Sequence, residues 1–246
     1  MRDLSDTTAV ILAGGLGTRL RSVVSDRPKV LVEVNGRPFV TYLLDRLADQ
    51  GVRRVVLCTG HLAERVAAVL GDGYRGMELL YSVETAPMGT GGALRLALPL
   101  LNSDPILVLN GDSFCDGNLA LFEARHRRSG ARGSLLLTTV AEVSRYGSVE
   151  IHPDGSVAAF EEKGARRGEG LINAGIYLLA RSVIAAIPEA KAVSLEREVF
   201  PFLTGQMLFG FPQESRFIDI GIPSDYYAAS AYLQAEPDAV TSKETT

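Results

Sequence analysis

Short apolar runs and helix-like stretches take turns along the first 110 residues, and no other feature limits the fold so strongly. Thr8–Ala13 (TAVILA) is a continuous apolar run ending in glycines, the pattern of a parallel strand buried on both faces. Phe39–Gln50 (FVTYLLDRLADQ) places Val40, Leu43, Leu44 and Leu47 on one face and is closed by Gly51, which predicts an amphipathic helix. Strand-like Arg54–Thr59, helical His61–Leu70, strand-like Glu78–Val83, helical Gly92–Leu101 and strand-like Pro105–Asn110 follow. Repeated strand–helix–strand units with short connections predict an α/β fold with a Rossmann-like, doubly wound sheet.

Beyond residue 130 the pattern changes. Ser134–Val140, Ser148–His152, Val157–Glu161 and Leu171–Leu179 are close-spaced strands, and Pro153-Asp154-Gly155 predicts a hairpin between the middle two. A helical stretch around Leu195–Leu203, strands at Gln206–Phe211 and Arg216–Ile220, and a helix at Pro223–Ala235 complete the reading. The expectation is one mixed sheet with an added β region in a single domain over 1–235, followed by a polar, frayed tail at 236–246.

Composition narrows the function. With 46% hydrophobic side chains in 246 residues there is material for a sizeable core. A net charge of −4 gives no basis for a nucleic-acid partner. No stretch approaches the roughly 18 to 20 apolar residues of a membrane helix. Thr7 and Thr8 interrupt any signal-peptide-like run at the start. Two cysteines, Cys58 and Cys115, point away from a disulfide scaffold and towards a reducing, cytoplasmic compartment. Together with His61, His126 and His152 they form no zinc spacing. Of 25 basic residues only four are lysine (Lys29, Lys163, Lys191 and Lys243), so each position that keeps a compact cation invites a reason.

The segment after the first strand is LAGGLGTRL, residues 12–20. Gly14, Gly15 and Gly17 let backbone N–H groups approach an anion where doubly wound sheets bind ligands. Two better-known glycine motifs do not fit. No lysine follows as a Walker loop requires, and Leu20 stands where a dinucleotide fingerprint needs its third glycine. Arg21–Pro28 reads as a loop and not as an opening helix. Instead come Thr18-Arg19 and Pro28-Lys29, where Arg19 can fork across phosphate oxygens and Lys29 can bring a mobile charge. Asp112 and Asp219 each close a strand, the place for a metal-binding carboxylate as well as for an ordinary turn or cap aspartate.

GGLGTRL…RPK resembles the signature of the sugar-1-phosphate nucleotidyltransferases. The likeness continues through ETAPMGTGGAL (84–94), LVLNGDS (107–113), SRYGSVEI (144–151), FEEKG (160–164), LINAGIYLL (171–179) and FIDIGIPSDY (217–226). The resemblance implies attack by a sugar 1-phosphate on the α-phosphorus of a nucleoside triphosphate, with pyrophosphate leaving. It implies a nucleotide-binding half over about 1–115 and a sugar-binding half over about 116–235. Arg19, Lys29 and Asp112 would be catalytic. Leu12, Ala13, Gly14, Gly15, Gly17, Thr18, Arg19, Glu84, Gly89 and Asp112 would bind nucleotide. Gly147, Glu162, Lys163 and Asn173 would bind the sugar phosphate, and Asp112 with Asp219 would hold Mg²⁺. An asparagine in an otherwise apolar strand also needs a partner, which favours a ligand role for Asn173. Two departures are Gly164, where the family commonly has proline, and Ile222, where threonine is common.

Within the family, RSVVSD, RYG and SLERE resemble the members that guanylylate D-glycero-α-D-manno-heptose 1-phosphate. The resemblance also implies that Glu84 faces the nucleobase edge, with Gly89 allowing close approach of the base, and there it leans towards GTP: a carboxylate only accepts hydrogen bonds, and guanine offers adjacent N1–H and N2–H₂ donors. Mannose 1-phosphate or another hexose 1-phosphate, and CTP, UTP or dTTP, remain alternatives. So does a nucleotide-binding regulatory subunit without turnover, although such a chain would be expected to have lost Lys29 or an aspartate. A homo-oligomer is compatible with all of these readings, and no bifunctional extension is visible.

Overall fold

The computed structural model describes residues 3–15, 20, 27–161, 166–205 and 207–234. Gly17, Thr18, Arg19, Glu162, Lys163, Gly164, most of the expected loop at 21–28 and the expected tail at 236–246 therefore lie outside the described residues. Eight strands form one sheet. Across it they run Leu208–Pro212, Gly133–Val140, Gly170–Leu179, Ile106–Asn110, Thr8–Leu12, Arg54–Thr59, Met77–Val83 and Gly73–Tyr74. Thr8–Leu12 is parallel to both neighbours, Arg54–Thr59 and Ile106–Asn110. Gly170–Leu179 runs antiparallel between Ile106–Asn110 and Gly133–Val140, which makes the sheet mixed as the sequence predicts.

Strand alternation feeds two cores. Ala9, Ile11, Val55, Leu57, Leu107 and Leu109 pack on one face with helices Phe39–Asp49 and Leu119–Ser129. Val10, Val56, Cys58 and Val108 face the other side, under helix Gly89–Ala97. Apolar runs with no polar alternation are what burial on both faces demands.

Several boundaries differ from the sequence reading, each for a local reason. The second helix begins at Ala63, not His61, because Leu62 takes a left-handed conformation with φ 59° before it. The third begins at Gly89 and ends at Ala97, followed by a 3-10 turn Leu98–Leu100, since Pro99 has no backbone N–H to carry the α-helical ladder on. Helix Leu119–Ser129 was not anticipated, although its ends are marked: the Asn118 side chain accepts from Leu121 N–H (2.8 Å), and Gly130 closes it at φ 66°. The predicted hairpin is present as Ser148–Ile151 against Val157–Glu161. Gly155 continues from it to the sheet edge, where its carbonyl accepts from Gly210 N–H (2.9 Å). No helix among the described residues is long and apolar enough to cross a membrane.

Candidate active site

The parallel strands direct their C-terminal ends to one edge, and a cavity of about 450 Å³ opens there. It is lined by Leu12, Ala13, Gly14 and Gly15 after the first strand, by Lys29, Glu84 and Gly89, and by Asp112 after strand Ile106–Asn110. Eight residues named from sequence as nucleotide-binding or catalytic thus meet at one place. Gly147 and Asn173 do not line this cavity. Thr90, Pro87 and Asn110 do, and sequence reasoning had not singled them out.

Lys29 starts a short 3-10 turn, Lys29–Leu31, that presses Val30 and Leu31 into the core and leaves the ammonium at the cavity. Its Nζ donates to Asp112 Oδ2 at 2.7 Å and lies 3.9 Å from Asp219 Oδ1. The two aspartates are 107 positions apart in the numbering, and a two-stranded ribbon joins them. Phe217–Asp219 pairs antiparallel with Ser113–Cys115, so Asp219 lies opposite Ser113, and Ile220 N–H reaches Asp112 C=O (2.9 Å). Gly221 N–H (2.6 Å) orients Asp219 Oδ1, and Ser113 Oγ (3.3 Å) contacts Asp112 Oδ1. Among the described residues no group of three or more His, Cys, Asp or Glu side chains gathers into a metal cage. Two converging carboxylates beside a cavity are instead the donor set Mg²⁺ takes when substrate phosphates and water complete its shell.

Glu84 follows strand Met77–Val83, and its carboxylate lies over two backbones without side chains. A Cβ on Gly14 would come within 2.6 Å of Glu84 Oε1, and one on Gly60 within 2.8 Å. Met88 N–H donates to Oε2 (3.1 Å). Burial raises the Glu84 carboxyl above its ordinary value, and the Met88 hydrogen bond opposes that rise. Gly14 and Gly60 thus leave room for the carboxylate above them. Gly15 has open space where its Cβ would be.

Gly89 differs from expectation in its reason. It lines the cavity at φ 69°, but a Cβ there would meet the carbonyl oxygen of Val193 at 2.5 Å. Gly92 likewise makes room for Lys191 C=O. These glycines admit the chain's own backbone, so close approach of a base is not needed to explain them.

Asn173 also differs. The partner that an asparagine in this strand needs is supplied by the protein itself: Asn173 Nδ2 donates to Tyr177 Oη (3.0 Å) and its Oδ1 accepts from Gly175 N–H (2.9 Å). The unpartnered group is on Asn110. Its Nδ2 donates to Tyr177 Oη (3.3 Å), while its Oδ1 is buried with no partner among the described residues. Arg46 Nη1 and Thr59 Oγ1 share that condition, but neither residue lines the cavity. Sequence carried a hint in LVLNGDS: a polar amide ending an apolar strand two residues before a proposed metal ligand.

Gly147 ends the turn Val143–Arg145 with φ 80°. Its neighbours tie that turn to the Asp219 ribbon: Arg145 pairs with Asp225, and the Tyr146 ring meets Phe217 edge-on at 5.4 Å.

Residues 8–236 match the nucleotidyl transferase family. The D-glycero-alpha-D-manno-heptose 1-phosphate guanylyltransferase of Aneurinibacillus thermoaerophilus is 38% identical over 92% of this chain and 98% of its own length. A mannose-1-phosphate guanylyltransferase of Mycobacterium tuberculosis is 37% identical over 92% of this chain, which spans 64% of that relative. The crystal structure of HddC from Yersinia pseudotuberculosis complexed with GMP-PN superposes with a TM-score of 0.83 at 36% identity, covering 92% of this chain and 99% of that one. The chain belongs to the nucleotidyl transferase family.

Proposed function

We propose that the chain transfers a guanylyl group from GTP to a sugar 1-phosphate, with D-glycero-α-D-manno-heptose 1-phosphate as the acceptor and Mg²⁺ as the metal. The observation that carries the reading is Lys29 held between Asp112 and Asp219 at the rim of the glycine-lined cavity. A phosphate oxygen of the sugar attacks the α-phosphorus, the bond to the β-phosphate oxygen breaks, and pyrophosphate leaves with its electron pair. The nucleophile is already anionic at neutral pH, so no general base is required. The protein's task is to bring two polyanions together and stabilise charge on the transferring group.

Asp112 and Asp219 would hold the metal, which when bound neutralises phosphate charge. Lys29 shifts from the carboxylates to the triphosphate as ligands enter, with the Gly14–Gly15 backbone beneath it. Glu84 faces the guanine edge. Asn110 lines the cavity on the opposite side of the first strand, and its buried Oδ1, without a partner among the described residues, accepts from a sugar hydroxyl. Arg19 serves the triphosphate, while Glu162 and Lys163 serve the sugar and its phosphate, with Gly147 and Asn173 completing that side. The heptose and mannose relatives support the two acceptors in that order, since the match spans 98% of the heptose relative and 64% of the mannose relative. The two free buried thiols fit a reducing cytoplasm.

A matrix of nucleoside triphosphates against sugar 1-phosphates, read by pyrophosphate release with Mg²⁺, tests this. The highest kcat/KM is expected for GTP with the heptose phosphate. A preference for mannose 1-phosphate would replace the acceptor, and no release with any pair would remove the reading.

A further inference from the structure

We propose that Glu196 is a positioning residue for the sugar phosphate: acting through Tyr177, it fixes the Asn110 amide so that the amide oxygen faces the cavity. This rests on the transfer reaction proposed above. The argument begins with one phenol oxygen. Tyr177, fully buried in strand Gly170–Leu179, receives Asn110 Nδ2–H at 3.3 Å and Asn173 Nδ2–H at 3.0 Å. Its own proton goes to Glu196 Oε1 at 3.3 Å. Two donors enter, one proton leaves, and the oxygen is used to capacity.

That arrangement decides which way Asn110 points. The flipped amide would set its oxygen against a phenol oxygen whose proton is already committed to a carboxylate. A buried pair of acceptors with no proton between them is unfavourable. Gly175 leaves the room that the Asn110 amide fills, since a Cβ there would be 3.0 Å from Asn110 Nδ2. The amide oxygen is left buried, without a partner among the described residues, on a side chain that lines the cavity.

Glu196 is itself held on its other side. Its Oε2 accepts from Thr90 Oγ1 and from Ser194 Oγ, both at 3.0 Å. Thr90 lines the same cavity, and its Oγ1 accepts from Leu195 N–H (2.8 Å). The carboxylate thus joins helix Gly89–Ala97 to strand Gly170–Leu179. It sits in a π-helical turn, Leu195–Val199, a geometry that recurs where a side chain must be re-aimed at a functional site. Glu84 lies three strands away from Asn110, on the far side of Thr8–Leu12. A base at Glu84 therefore leaves a hydroxyl donor of the other substrate to meet Asn110.

The test uses the full-length protein and steady-state kinetics. Glu196→Met keeps side-chain volume and removes the acceptor, freeing the phenol proton to turn towards Asn110. The KM for the sugar 1-phosphate is expected to rise about tenfold, the effect of one lost hydrogen bond, while the KM for GTP and the unfolding temperature stay unchanged. Glu196→Gln, whose amide oxygen still accepts that proton, should restore KM to within about threefold of wild type. Tyr177→Phe should reproduce the Met variant. The Met/Phe double variant should be no worse than either alone beyond about twofold, as expected for one shared path.

Equal rises in both KM values with a lower unfolding temperature would reduce Glu196 to a scaffold residue and overturn the proposal. A rise in the GTP KM alone would assign the acceptor to the ribose and do the same, as would no change. Should the Glu196 variants not fold, Tyr177→Phe decides by the same KM split. Wild-type turnover without that split sinks only this inference, whereas a wild type with no turnover sinks the reaction and the inference together.

Discussion

Two polar networks among the described residues, each built around buried groups, differ in one respect that separates chemistry from architecture. Beside the cavity, Asn110, Asn173, Tyr177, Glu196, Thr90 and Ser194 share a network that ends in an amide oxygen with no partner among the described residues. Far from the cavity, on helix Leu119–Ser129, Glu123 accepts from Thr7 (3.2 Å) and Arg127 (2.6 Å), and His126 Nδ1 meets Ser134 Oγ at 2.7 Å. Among the described residues, no buried polar side-chain atom of that second group lacks a partner. A saturated group holds a fold together. A group with an open acceptor at a cavity wall waits for a ligand.

The contrast predicts that changes near the cavity alter kinetics and changes on the helix alter stability. The largest expected effect is at Lys29, the cation between Asp112 and Asp219. Lys29→Ala should lower kcat/KM on the order of a thousandfold, the scale of losing one preorganised charge contact to a transferring group. Lys29→Arg keeps the charge but not the compact ammonium, and should still lower it about a hundredfold. Pyrophosphate release gives both values. Activity within twofold of wild type for the arginine variant would show that only charge matters there.

The next effect belongs to the remote group. Burial and, after it, the Arg127 charge lower the His126 imidazole from 6.5 to about 4. Below pH 6.5 the unfolded chain binds a proton that the folded chain refuses until near pH 4. Stability is therefore complete above pH 6.5 and falls as pH drops through that window, by about 3 kcal/mol in total. Urea unfolding between pH 7 and 4 checks this against His126→Gln, in which that loss should be missing while kcat/KM at neutral pH is kept. A histidine variant that loses turnover without losing this pH dependence would break the comparison.

Legibility in the sequence followed the same division. Arg54–Thr59 and Val157–Glu161 were readable to the residue because an apolar run bounded by turn residues is a local signal. The cavity floor was readable because glycines, Lys29 and the strand-end aspartates sit in short distinctive strings. Helix Leu119–Ser129 was obscured because its buried face is half polar: Leu119 and Phe122 share it with Glu123 and His126. The Asn110 network was out of reach for a different reason. Tyr177 and Glu196 are 19 residues apart and Thr90 and Glu196 are 106 apart, so their meeting depends on strand order and on the turn after Ser194. Asn173 was singled out and Asn110 was not, since sequence shows that an amide needs a partner but not which amide finds one.

The smallest predicted effect is the most selective. Glu84 combines an acceptor-only side chain with a carboxyl that burial pushes up and Met88 N–H pulls down. Ionised, it matches two adjacent donors on guanine, whereas uracil presents one N–H between two carbonyls. Glu84→Gln replaces one acceptor by a donor, so the preference for GTP over UTP should fall about tenfold, near 1.4 kcal/mol, with UTP turnover rising. Acid should act on the wild type in the same direction, because protonation removes an acceptor just as the amide does. Since the carboxyl is raised, the GTP preference should begin to fade at a higher pH than an ordinary glutamate would set, and the Gln variant should show no such fading. Measured as the kcat/KM ratio for the two nucleotides across pH, a preference that survives both acid and substitution would move base recognition away from Glu84, leaving its carboxylate as a structural cover for Gly14 and Gly60.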